Sequence, residues 1–140
     1  MTYKSGYRYV TQDISYHALS FATLPFWMGS ILEITNVAKT NEYRLRISKN
    51  YAWDGASFTL FKWFGTPDSW LTPSLVHDAL YQAMREGFLQ LTYRERVDRL
   101  FRSMLIERGV WRALAWAAYY AVRVFGNFAV RKTNPVREVV

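Results

Sequence analysis

Apolar positions recur along the chain first with a period of about two and then with a period of about 3.6, and the switch divides the sequence into two regions. Tyr43-Arg44-Leu45-Arg46-Ile47 alternates strictly, with its apolar members on one face of a strand. Ile31-Leu32-Glu33-Ile34-Thr35 partly alternates, and Tyr7-Arg8-Tyr9-Val10 and Ile14-Ser15-Tyr16 are β-favouring runs. Asn36 to Glu42 is a turn-rich link, and no crossover helix separates the runs, so a small antiparallel sheet with one wet face is expected. Residues 58–71 are aromatic, punctuated by glycine and proline and without clear period, which reads as an ordered loop or short helical turns.

From Thr72 the pattern turns helical. Thr72 as N-cap, Pro73 as first helical residue and Gly87 as stop bracket a first helix with the apolar stripe Val76, Ala79, Leu80, Ala83 and Met84. Thr92-Tyr93-Arg94-Glu95 has the form of a capping box opening a second helix, with Tyr93, Val97, Leu100, Phe101, Met104 and Leu105 facing inward and Gly109 closing it. Val110 to Phe125 predicts a third, ended by Gly126, apolar nearly all round except for Arg112 and Arg123 on one narrow stripe. Its Trp111, Trp116, Tyr119 and Tyr120 are expected in the core, with a lipid platform as the alternative. A bilayer span is disfavoured, because each arginine costs on the order of 2.5–3.5 kcal/mol near the centre of a lone span.

The fold class is therefore α+β, one domain over 1–140, with a β-rich segment 1–57, a loop 58–71, three helices in 72–126 and a basic tail 127–140. Composition agrees: 51% apolar and 21% charged is globular. The absence of cysteine excludes disulfides, thiolate metal sites and cysteine nucleophiles. Met1 to Tyr16 lacks the apolar run of a signal peptide. The net charge of +7 is concentrated late, with eleven basic against five acidic residues from Arg85 onward, and thirteen of the eighteen cations are arginine. Anionic partners are expected: phospholipid headgroups, an acidic protein surface or, less favoured, nucleic acid.

Candidate chemistry gathers on the first two helices. With Val76 at zero and about 100° per residue, His77 lies near 100°, at the rim of the buried stripe, with Tyr81 near 140° and Asp78 near 200°. Asp98 occupies the corresponding rim of the second helix. An antiparallel hairpin places Asp98 level with Tyr81 and His77 about one turn further, roughly 6 Å, within reach after a modest shift. A carboxylate on one ring nitrogen would fix the tautomer and leave the other nitrogen to deprotonate water. The same pair would serve equally as a hydrogen-bonded tie of a half-buried ring. Asp78 faces the preceding loop, where Asp54-Gly55-Ala56-Ser57 offers a second carboxylate suited to a hard cation. His17 has no carboxylate at useful spacing and reads as structural.

His77-Asp78-x-x-Tyr81, then Asp98-x-x-Phe101-x-x-Met104, then Tyr119-Tyr120-Ala121-Val122-Arg123-x-Phe125-Gly126 together resemble the helical core of small bacterial phospholipases of the A2 class, over Asp54 to Gly126. Trp53-Asp54-Gly55-Ala56-Ser57 ahead of the His-Asp helix is also similar to an uncharacterised family of phage and prophage proteins of this size, across nearly the whole chain. The phospholipase resemblance implies His77 as the base, Asp98 as its orienting carboxylate, Asp78 with Asp54 as calcium ligands, and Tyr81 and Tyr120 as braces. Arg85, Arg94 and Arg102 become candidate phosphate or lipid contacts. The disulfides of those enzymes and the glycine-rich calcium loop of their animal forms have no counterpart. A phage-encoded lipid ester hydrolase acting on the host membrane is the expected function. The competing expectation is a non-enzymatic virion protein of tail or capsid with the same scaffold. The corresponding locations are the virion or the infected cell.

Overall fold

The computed structural model of the chain describes residues 2–4, 7–29, 31–37, 42–53 and 67–131. Among the described residues, seven strands precede three helices: β1 Thr2–Lys4, β2 Tyr7–Val10, β3 Ser15–Leu19, β4 Phe26–Met28, β5 Leu32–Asn36, β6 Tyr43–Ile47 and β7 Ala52–Trp53. They form two sheets, one of three strands in the order β1-β2-β7 and one of four in the order β3-β6-β5-β4, with every pairing antiparallel. The α+β class holds, although the single expected sheet is two.

Alternation sets the register of the larger sheet. Ile34 pairs with Leu45 and Leu32 with Ile47, so four fully or almost fully buried side chains stack on one face. On the other face Glu33 opposes Arg46, and Arg46 Nε donates to Glu33 Oε2 at 2.9 Å. Helix α1, Asp68–Arg85, covers the apolar face. Leu75, Val76, Ala79, Leu80 and Ala83 join the strand residues in one core with Val97 and Leu100 of α2, Arg94–Glu107. Helix α3, Arg112–Arg131, packs against α2 and also meets α1, and Trp70 of α1 joins Phe101, Leu105, Ala115 and Ala118 in a second cluster. Helix α1 is thus the middle of the molecule, and eleven of its eighteen residues are buried.

Several helix limits differ from the sequence expectation. Helix α1 begins at Asp68 after Pro67, with Pro73 inside it. The anchor is Trp70, whose ring meets Phe101 edge-on at 6.2 Å; burying it makes the earlier start favourable despite the amide that Pro73 lacks. The capping box does not form: Leu91–Tyr93 is a 3-10 turn, Tyr93 is the N-cap without a side-chain bond, and the Thr92 hydroxyl lies 3.5 Å from Gln90 Oε1. Two of the three predicted glycine stops hold. Gly87 at φ +81° and Gly109 at φ +89° adopt the left-handed conformation, and each closes its helix with two backbone bonds, Phe88 N to Ala83 O at 2.9 Å with Gly87 N to Met84 O at 3.2 Å, and Val110 N to Leu105 O with Gly109 N to Ile106 O, both at 3.0 Å.

Gly126 does not end α3, which runs on to Arg131 into the segment expected to be a tail. It is a point of close approach: a Cβ there would stand 2.5 Å from Tyr81 Oη and 3.0 Å from Tyr81 Cε2. The outer face of α3 also departs from expectation. Tyr119 is buried, but Trp111, Trp116 and Tyr120 are exposed rather than in the core. Among the described residues no helix is long and apolar enough to cross a membrane.

Candidate active site

His77 and Asp98 meet as the spacing allows. His77 projects from the rim of α1 with its ring 4.2 Å from that of Tyr81 and 4.8 Å from that of Phe101 on α2. Its Nε2 lies 2.7 Å from Asp98 Oδ1. The histidine side chain keeps 12% exposure and the aspartate none. Asp98 Oδ1 also accepts from the Tyr81 hydroxyl at 2.6 Å, so the carboxylate sits between the two α1 residues rather than level with one of them. With Nε2 engaged, Nδ1 is the ring nitrogen without a hydrogen-bond partner among the described residues.

A buried carboxylate is costly unless it is paired and hydrogen-bonded. Asp98 Oδ2 accepts from Arg123 of α3 at 3.0 Å, and Arg94 Nε stands 4.0 Å away. One aspartate thereby ties three helices. Arg94 donates further to Tyr81 Oη at 3.3 Å, to the Val122 carbonyl at 3.1 Å and to the Arg123 carbonyl, which locks the start of α2 onto α3. Burial, followed by the adjacent Asp98 charge, pushes the Tyr81 hydroxyl far above the ordinary phenol range, so it stays a proton donor to Asp98. Gly126 permits this arrangement by letting the backbone of α3 close on Tyr81.

The other candidates are distributed differently. Tyr120, assigned as a brace, is 59% exposed and packs on Trp116 and Tyr119; Arg123 holds the bracing position instead. An arginine on an otherwise apolar helix was the signal for it, since such a charge needs a carboxylate. Asp78 accepts from the Tyr51 hydroxyl at 3.1 Å. Tyr51 is carried there by the turn after β6: Asn50 at φ +67° donates to the Thr11 carbonyl at 2.7 Å, and Thr11 Oγ1 accepts from Tyr51 N at 2.9 Å. Asp54 lies outside the described residues. Calcium takes six to eight oxygens, and the described residues hold no group of three or more metal-ligating side chains.

Arg85 donates to Gln82 Oε1 at 2.6 Å. Arg94 is committed to the inter-helix tie. Arg102 stacks over Trp116 and Tyr119, at 3.9 and 4.5 Å from the ring centres. His17 is half-buried, with Nε2 3.0 Å from Ser15 Oγ, and burial together with the Arg108 charge lowers its pKa to about 4.

A family model described as a protein of unknown function, DUF1353, matches residues 30–122. The chain belongs to the DUF1353 family. No curated protein and no solved structure matches it. The DUF1353 match spans β5 and β6 and the helices up to Val122, and so includes His77, Tyr81, Arg94 and Asp98; Arg123 and Gly126 lie just beyond it.

Proposed function

We propose that this DUF1353 chain is a phage-encoded, phospholipase A2-like lipid ester hydrolase acting on the host membrane. The observation that carries the reading is the 2.7 Å bond from His77 Nε2 to a fully buried Asp98, with Nδ1 bonded to none of the described residues. In the proposed reaction Nε2–H donates to Asp98, and Nδ1 takes a proton from water as its oxygen attacks the ester carbonyl. The tetrahedral adduct collapses, the acyl–oxygen bond breaks, and Nδ1–H returns the proton to the departing alkoxide. Fatty acid and lysolipid are the products. Asp78 and Asp54 would hold calcium, and calorimetric titration of the wild type and of Asp78→Asn tests that part, with heat expected from the wild type only.

His77→Gln keeps a polar side chain of similar reach but cannot cycle a proton. Fatty-acid release from mixed phospholipid vesicles is expected to fall about 10²-fold or more in this variant. Undiminished release would remove the hydrolase. The tie of three helices through Asp98 favours a second reading, a virion structural protein of a phage in which the same network sets helix register. Copurification with particles, in a protein that releases no fatty acid, would select it.

A further inference from the structure

The solvent side of α3 is apolar where a surface helix is ordinarily polar. Ala115, Ala118, Tyr119 and Gly126 face the protein. On the opposite arc Leu114, Trp116, Tyr120, Val124 and Phe125 are exposed by 49, 40, 59, 64 and 70%, and Trp111, one residue ahead of the helix, by 82%. At about 100° per residue these side chains, with Ala113, Ala117 and Ala121 between them, leave little polar surface on that arc.

Charge indicates what covers the face. No acidic residue lies between Arg108 and Arg137, whereas Arg112 and Arg123 border the arc beside Trp116. Arg102 stacks on Trp116 from α2 and brings a third guanidinium to the same edge. A second copy seated face to face would set arginines against arginines with no carboxylate between them. An anionic partner gains from Arg112 and Arg102, whereas Arg123 is paired with Asp98. Indole and phenol rings beside guanidinium groups, next to bare aliphatic and phenyl side chains, form the pattern of a helix lying in a headgroup plane.

We propose that α3 docks this protein on an anionic phospholipid bilayer, lying in the interface with Leu114, Val124 and Phe125 toward the acyl chains and with Arg112 and Arg102 toward phosphate. The choice of a lipid over an acidic protein rests on the hydrolase reading; the face itself does not. Flotation of the full chain with phosphatidylcholine vesicles, with and without roughly one third phosphatidylglycerol, tests it. Binding to the anionic vesicles is expected to be about tenfold tighter or more, and Val124→Glu, an exposed position, is expected to reduce it by about tenfold with the thermal unfolding midpoint retained.

Equal or absent binding to the two vesicles, or binding unchanged by Val124→Glu, overturns the proposal. So does a wild-type dimer that Val124→Glu converts to monomer without any lipid binding. Hydrolysis of a short-chain lipid dissolved as monomers keeps the two readings apart. Vesicle binding without that hydrolysis leaves the docking face and removes the enzyme, and hydrolysis without vesicle binding overturns the docking face alone.

Discussion

The α1–α2–α3 junction and the outer face of α3 invert the usual distribution of polarity. The junction buries a carboxylate with no exposure and surrounds it with an imidazole, a phenol and two guanidinium groups, while the outer face exposes tryptophan, phenylalanine and valine. Neither arrangement is what stability alone favours, since a well-packed apolar junction is often as stable as a buried ion pair, and an apolar outer face gains nothing in the free chain. The two places where the molecule departs from ordinary patterning are therefore where function is argued. They differ in tolerance: the junction is paired atom for atom, the outer face is not.

The largest effect should come from the centre of the junction. Asp98→Ala leaves Arg123 and Tyr81 without their acceptor and is expected to destabilise the fold by about 3–5 kcal/mol, measured by urea unfolding. A loss below about 1 kcal/mol would show that the network is not what ties the helices. Next is Gly126→Ala, whose methyl would overlap Tyr81 Oη. Tyr81 is held at 2.6 Å by Asp98 and cannot swing away freely, so crowding is expected to outweigh the gain in helix propensity and cost about 1–3 kcal/mol. A more stable variant would sink the close-approach account.

A pH scan away from the junction gives a smaller effect. His17 titrates near the ordinary value of 6.5 when unfolded and at about 4 when folded, so the unfolded chain binds more protons between those values. Stability should be full above about pH 6.5 and fall as pH drops toward 4; His17→Gln should flatten that slope, and an unchanged slope would assign it elsewhere. The smallest effect belongs to the outer face, where Val124→Glu should change stability by no more than about 0.5 kcal/mol. A large loss would mean that α3 needs that surface for folding.

Periodicity was informative wherever one side chain pattern met one flat partner. Strand β6 and the buried stripe of α1 were legible because alternation and the helical repeat each leave one apolar face, and Gly87 and Gly109 because a left-handed stop favours glycine. Strands β4 and β7, three and two residues long, carry too little pattern to read. Pro73 and Thr92 suggested helix starts that Trp70 burial and the 3-10 turn at Leu91–Tyr93 displaced. In the site, His77, Tyr81 and Asp98 were legible from angle and spacing on two consecutive helices. Arg123 was not assigned, because nothing local indicates which side of α2 the third helix covers.

What the order of residues determined by itself is the α+β class, the closures of α1 and α2 and the presence of an imidazole and a carboxylate on facing rims, since each depends on interactions within a turn or between neighbouring elements. The tertiary structure decided which ring nitrogen meets Asp98, that Arg123 rather than Tyr120 completes the carboxylate, that Gly126 is a contact rather than an end, and that the aromatic side of α3 faces outward. Those outcomes depend on how three helices stack about Asp98, and a packing choice among distant segments leaves no periodic trace in the chain.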